Sequence, residues 1–147
     1  ARWLAESEAS TLYASLSLSR LKSLRILGYA TTIIIRFKNG TVWNSEFTNL
    51  INEARGSLMN LEVMSERYVT RVTSPEHVEL FTEKKREWTL KLERPERWGH
   101  QGQDLHFIND VVSKGKPPAV TLKDAEKAFR LSLAALRSAR QNRPVRL

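Results

Sequence analysis

Three histidines, His77, His100 and His106, are the side chains best placed by type to move protons near neutral pH or to ligate a metal. His100 and His106 stand six apart and would not share a helical face, and no acidic residue falls at a ligand spacing beside either, so no metal site is expected. No cysteine is present, which removes disulfides, thiolate ligands and a cysteine nucleophile together and fits a reducing compartment. No serine is framed as Gly-x-Ser-x-Gly, although a Ser-His-Asp set assembled from distant positions stays open. The carboxylate pairs Glu62/Glu66 and Glu93/Glu96 read as solvated edges or turns. The 6 glycines do not cluster as a phosphate cradle requires, so neither a dinucleotide fingerprint nor a P-loop is found. On residue types alone, the catalytic, cofactor-binding and metal-binding sets are all empty.

The elements that would hold any site follow from periodicity. Leu12, Ala14, Leu16 and Leu18 alternate with Tyr13, Ser15, Ser17 and Ser19, the pattern of a half-buried strand. Ile33, Ile35 and Phe37 continue it; Asn39-Gly40 then predicts a type I′ hairpin into Val42–Phe47. Further strands are expected around Met59–Val63, Tyr68–Val72, Val78–Leu80 and Trp88–Leu92. After Pro95 the spacing becomes helical. Leu105, Ile108 and Val112 share a face up to Lys114-Gly115, where a glycine can end the helix. Thr121 to Asp124 resembles a capping box for a second helix, with Leu122, Ala125, Phe129, Leu133, Leu136 and Ala139 as its apolar stripe. Pro144 to Leu147 reads as an extended tail.

Strands followed by helices predict an α+β fold: an open, largely antiparallel sheet with helices on one face. The outer face of such a sheet is normally polar. Here both sides of the second and third strands carry apolar residues, so a second subunit is expected to cover the sheet through Ile34, Trp43 and Phe47. The 147 residues suit one domain, 1–147, and a hydrophobic fraction of 41% argues against disorder. No run is long enough to span a bilayer, and no signal peptide is visible. The net charge of +8 is scattered among acids, so nucleic acid is not expected as a partner. The first residue is Ala1 rather than methionine, which reads as a chain processed or excised from something longer.

The stretch Gly99-His100-Gln101-Gly102-Gln103-Asp104-Leu105-His106-Phe107-Ile108, running to Gly115-Lys116-Pro117-Pro118, resembles a segment of the glucose-fructose oxidoreductase/inositol dehydrogenase (Gfo/Idh/MocA) family. So do Val120-Thr121, Asp124-Ala125, Ser138-Ala139 and Arg143-Pro144-Val145-Arg146-Leu147 after it. Upstream, Tyr29-Ala30-Thr31, the hairpin Ile35-Arg36-Phe37-Lys38-Asn39-Gly40-Thr41-Val42 and Arg2-Trp3-Leu4 are similar to the family as well. The resemblance implies the C-terminal half of a two-domain NAD- or NADP-dependent oxidoreductase acting on a sugar, a polyol or a similar hydroxylated compound. Its Rossmann half, absent here, would hold the cofactor and a catalytic lysine; this chain alone would hold no cofactor and be inactive. It would instead form a wall of the substrate pocket and the surface on which subunits pair into a homo-oligomer in the cytoplasm. By position, Arg55, Ser57 and His100 would approach substrate. The competing reading is a stand-alone, non-catalytic pairing or binding module with a basic surface.

Overall fold

Alternating apolar and polar residues build two long strands first. In the computed structural model, which describes residues 1–21, 26–49, 60–74, 77–82, 86–89 and 99–147, β1 runs Ala9–Leu21 and β2 Ile26–Phe37, antiparallel to each other. β3, Val42–Thr48, pairs with β2. The Phe37–Thr41 turn is not the expected type I′. Only Gly40 takes a positive φ, at 90°, because the Phe37 carbonyl accepts from the Gly40 amide at 3.1 Å and the Thr41 carbonyl accepts from Phe37 at 2.8 Å. That is the longer hairpin in which an ordinary turn is followed by one left-handed residue. Asn39, freed from left-handed geometry, anchors the turn: its Oδ1 accepts from the Thr41 amide and its Nδ2 donates to the Ala5 carbonyl.

Two compact units emerge: Ala1–Ile51 with Ala119–Leu147, and Asn52–Pro118. In the first, the sheet order is β3-β2-β1-β8, where β8 is Val145–Arg146. The expected C-terminal tail is therefore an edge strand, Leu12 lying opposite Val145 and Thr11 opposite Arg146. A short helix, α1 (Arg2–Ala5), precedes β1. In the second unit, β4 (Leu61–Met64), β5 (Val69–Ser74), β6 (His77–Phe81) and β7 (Arg86–Thr89) form an antiparallel meander in sequence order. The helix α2 (His100–His106) follows and runs into a π-helical turn, Phe107–Val112. The antiparallel α+β architecture read from the sequence is thus present as two four-stranded sheets among the described residues.

The last helix, α3 (Leu122–Gln141), covers one face of the first sheet. Its capping box forms as expected, the Thr121 hydroxyl accepting from the Asp124 amide and the Asp124 carboxylate accepting from the Thr121 amide. Its buried face is not the predicted one. Ala134, Ala135 and Ser138 are buried, with Leu131 and Ala139 partly so. Leu122, Phe129, Leu133 and Leu136 are exposed, Leu122 at 92%. Small side chains let a helix approach a sheet whose own Leu12, Ala14, Ile35 and Phe37 already fill the interface, and four large ones on the same side would hold it away. The face predicted on α2 is likewise exposed: Leu105, Phe107, Ile108 and Val112 lie outside, while His106, Asp110 and Val111 are partly buried. No helix among the described residues is long and apolar enough to cross a membrane.

Ser138 joins helix to sheet. Its side chain is 0% exposed, accepts from the Ala14 amide at 2.9 Å and donates to the Arg143 carbonyl at 2.7 Å. Removing a hydroxyl that satisfies two buried backbone groups costs the desolvation of whatever is left unpaired. Ser138→Ala is therefore expected to lower unfolding stability by about 1–3 kcal/mol in urea titration, with the urea dependence of the unfolding free energy unchanged.

Candidate functional site

Of the residues the sequence proposed for substrate contact, Arg55 and Ser57 lie outside the described residues. His100 is the exposed first residue of α2, after Gly99 at φ 68°. No described contact brings a further predicted site residue to it. The three proposed interface residues do not share one surface. Trp43 lies opposite Ile35 and Phe47 opposite Thr31, so both point to the side that α3 covers; Trp43 packs against the core and Phe47 lines a groove there with Leu12, Leu131 and Ala135. Ile34 pairs with Asn44 on the opposite, open face and is 43% exposed. The split follows from the period of two: position 34 and positions 43 and 47 fall on opposite sides once the hairpin register is set.

A charged cluster that the sequence did not reveal gathers where α1, β1 and α3 meet. Glu6 adopts a left-handed conformation at the end of α1 (φ 47°), turning the chain so that Glu8 returns toward Arg2. Arg2 donates from Nη2 to one Glu8 carboxylate oxygen at 3.0 Å and from Nε to the other at 3.3 Å. Lys127 Nζ, one turn inside α3, donates to Glu8 at 2.6 Å. Arg2 also reaches the Asp124 carbonyl at 3.4 Å. Hydrogen bonds from Arg2 and then Lys127 hold the Glu8 carboxyl down at about 2. Asp124 is lowered chiefly by its hydrogen bonds with Thr121. Beside this cluster lies a cavity of about 730 Å³, lined among others by Trp3, Ser7, Glu8, Val120 and Leu131.

Chemically the cluster holds and does not react. Its carboxylates are kept ionised at neutral pH, Glu8 by Arg2 and Lys127 and Asp124 by Thr121, whereas a general acid needs a carboxyl raised toward neutrality. A second cluster, on the other unit, is similar. Asp110 accepts from Lys114 at 3.0 Å and Lys116 at 3.3 Å and lies 3.3 Å from His106 Nδ1. These contacts, Lys114 foremost, hold it at about 2. It ties the π-helical turn to the glycine-ended segment after it, where Gly115 has φ 64° and the Lys116 amide donates to the Asp110 carbonyl. On β5, Arg71 pairs with Glu62 at 2.8 Å and approaches Glu79 at 3.8 Å, its guanidinium 5.5 Å from the Phe81 ring centre. Among the described residues no group of three or more His, Asp or Glu side chains converges as a metal site would require.

Among the described residues no dinucleotide cradle is formed. Every strand pairing described is antiparallel, so no parallel strand-turn-helix unit presents amides to a pyrophosphate. Gly99, before α2, has open space around it rather than a close backbone approach.

Solved structures resemble this arrangement along nearly its whole length. An aldose-aldose oxidoreductase from Caulobacter crescentus, solved with glycerol, superposes at a TM-score of 0.76 with 18% identity, over 99% of this chain and 43% of its own. An oxidoreductase from Agrobacterium radiobacter, solved with NAD+, L-tartaric acid and magnesium, gives 0.78, 18%, 99% and 45%. The myo-inositol 2-dehydrogenase of Lactobacillus plantarum gives 0.71, 19%, 99% and 44%. The chain has the fold found in these oxidoreductases. That agrees with the resemblance read from Gly99–Pro118 and the segments around it. No protein-family model and no curated protein matches the sequence. The chain spans less than half the length of each of these three structures.

The electrostatics predict an acid dependence. The Glu8 carboxyl is lowered from 4.5 to about 2 by folding, so its contribution to stability is complete above pH 4.5 and is lost as pH falls toward 2. Thermal unfolding followed between those limits is expected to show the midpoint of the native chain falling more steeply than that of Glu8→Gln. Parallel curves would mean that Arg2 and Lys127 do not favour the ionised form.

Proposed function

We propose that this chain is the substrate-binding and oligomerisation domain of an NAD(P)-dependent oxidoreductase acting on a sugar, a polyol or a similar small hydroxylated compound. The observation that carries the reading is the fold shared over 99% of the chain with an aldose-aldose oxidoreductase and a myo-inositol 2-dehydrogenase. The NAD+ bound to the Agrobacterium radiobacter relative supports the cofactor class. Since the described residues offer no dinucleotide cradle, the cofactor would be held by a separate Rossmann domain of the intact enzyme. This domain would supply one wall of the substrate pocket, with Arg55, Ser57 and His100 as its contributors. A cytoplasmic location accords with the cysteine-free sequence.

Subunit pairing would use the open face of the first sheet. Opposite the α3-covered side, Tyr13 and Ser15 of β1, Ile34 and Thr32 of β2, and Asn44 and Glu46 of β3 lie in register, with Val42 exposed beside them. A two-fold axis would set this surface on itself. A stand-alone pairing or binding module is the second reading, favoured by the net charge of +8.

The test is the reading frame that encodes Ala1. A glycine-rich strand-turn-helix and a Glu-Lys-Pro segment upstream, together with reduction of NAD+ or NADP+ by aldoses or inositol in the full product but not in this chain, are the expected results. A start codon immediately before Ala1 would remove the enzyme reading. For the pairing surface, Ile34→Asp is expected to bring the mass measured by light scattering down to one chain with little change in unfolding midpoint. Trp43→Asp, on the covered face, should instead destabilise the fold, by about 3 kcal/mol on the scale of a lost core aromatic.

A further inference from the structure

A second groove in the first unit carries more cationic than anionic side chains in its described lining. It measures about 530 Å³, within the size range of small-molecule sites, and runs along α3 beside β8. Arg2, Lys38, Lys127, Arg130, Arg137 and Arg146 contribute cations to its described lining, against the side-chain carboxylate of Glu8. Three of these cations are already satisfied: Arg2 by Glu8 at 3.0 Å, Lys127 by Glu8 at 2.6 Å, and Arg130 by Glu126 through Nη2 at 2.7 Å and Nε at 3.0 Å. Among the described residues Lys38 and Arg137 have no side-chain hydrogen bond or ion pair. The groove also has apolar lining, from Leu131, Leu133, Ala134 and Val145. Apolar surface next to uncompensated cations suits a ligand with an apolar body and a compact anionic head.

We propose that this groove binds a small organic phosphate, its anionic group held by Arg137 and Lys38 and its apolar body laid on Leu131, Leu133 and Val145. A phosphate suits the guanidinium because the planar fork of arginine can meet two of its oxygens at once. Lysine adds a point charge on a flexible stem, which tolerates variation in the head group. The described lining of the groove belongs to the first unit, and its occupancy requires neither a nicotinamide cofactor nor turnover. The inference therefore stands or falls separately from the oxidoreductase reading.

Phenyl phosphate is a suitable probe, with inorganic phosphate testing the head group alone and phenol the body alone. In calorimetric titration of the chain at low ionic strength, phenyl phosphate should bind saturably at one site per chain. Inorganic phosphate should bind about tenfold more weakly or worse, and phenol should not bind detectably. Arg137→Ala and Lys38→Ala should each weaken phenyl phosphate about tenfold. Their unfolding midpoints should stay native, because neither side chain holds the fold together. Lys123→Ala, outside the groove, should leave binding unchanged. No saturable binding of phenyl phosphate would overturn the proposal. So would undiminished, native affinity in both groove variants, or inorganic phosphate binding as tightly as phenyl phosphate.

Discussion

The close approach of α3 to the first sheet is the constraint on which the described architecture turns. A helix can lie this near a strand only if the residues between them are small and no polar group is stranded there. Ala134 and Ala135 meet the first condition and Ser138 meets the second. β8 pairs with β1 through Thr11 and Leu12, and two residues further along β1 the Ala14 amide donates to the Ser138 hydroxyl, which itself donates to the Arg143 carbonyl just before β8. One side chain thus completes the strand edge, seats the helix and fixes the turn that brings Val145 back to the sheet.

Electrostatics reinforces the same junction from its other end. Glu8 stands at the entrance to β1 and receives Arg2 from α1 and Lys127 from α3. Neither ion pair is deeply buried, so their worth lies in fixing where three segments meet more than in bulk stability. The junction leaves two grooves along α3, one next to Trp3 and one lined by several cations that reaches β8. Within the first unit no described helix covers the opposite face of the sheet, which carries Tyr13, Ser15, Thr32, Ile34, Asn44 and Glu46.

The apolar residues exposed on α3 belong to the same logic. With the small residues turned inward, Leu122, Phe129, Leu133 and Leu136 have no place in the core of this unit. A helix with two apolar sides is a sign of more than one packing neighbour. The matched oxidoreductases are more than twice as long as this chain.

Local chemistry was legible in the residues alone. The alternation of Leu12 to Leu18, the turn at Gly40, the Thr121–Asp124 cap and the helix end at Gly115 depend on groups a few positions apart, and each was read at the right place. The antiparallel α+β class followed from their order, and the family resemblance followed from the motif around Gly99–Pro118. Tertiary structure alone decided which side of each element is inside. The α3 stripe was misread because hydrophobicity scores leucine above alanine, whereas a tight helix–sheet contact selects for size. Ile34 was separated from Trp43 and Phe47 because the facing of a strand depends on hairpin register, and one intervening residue reverses it. The Arg2–Glu8–Lys127 cluster had no sequence signature at all, since Glu8 and Lys127 are 119 positions apart and meet only because α3 folds back across the first strand.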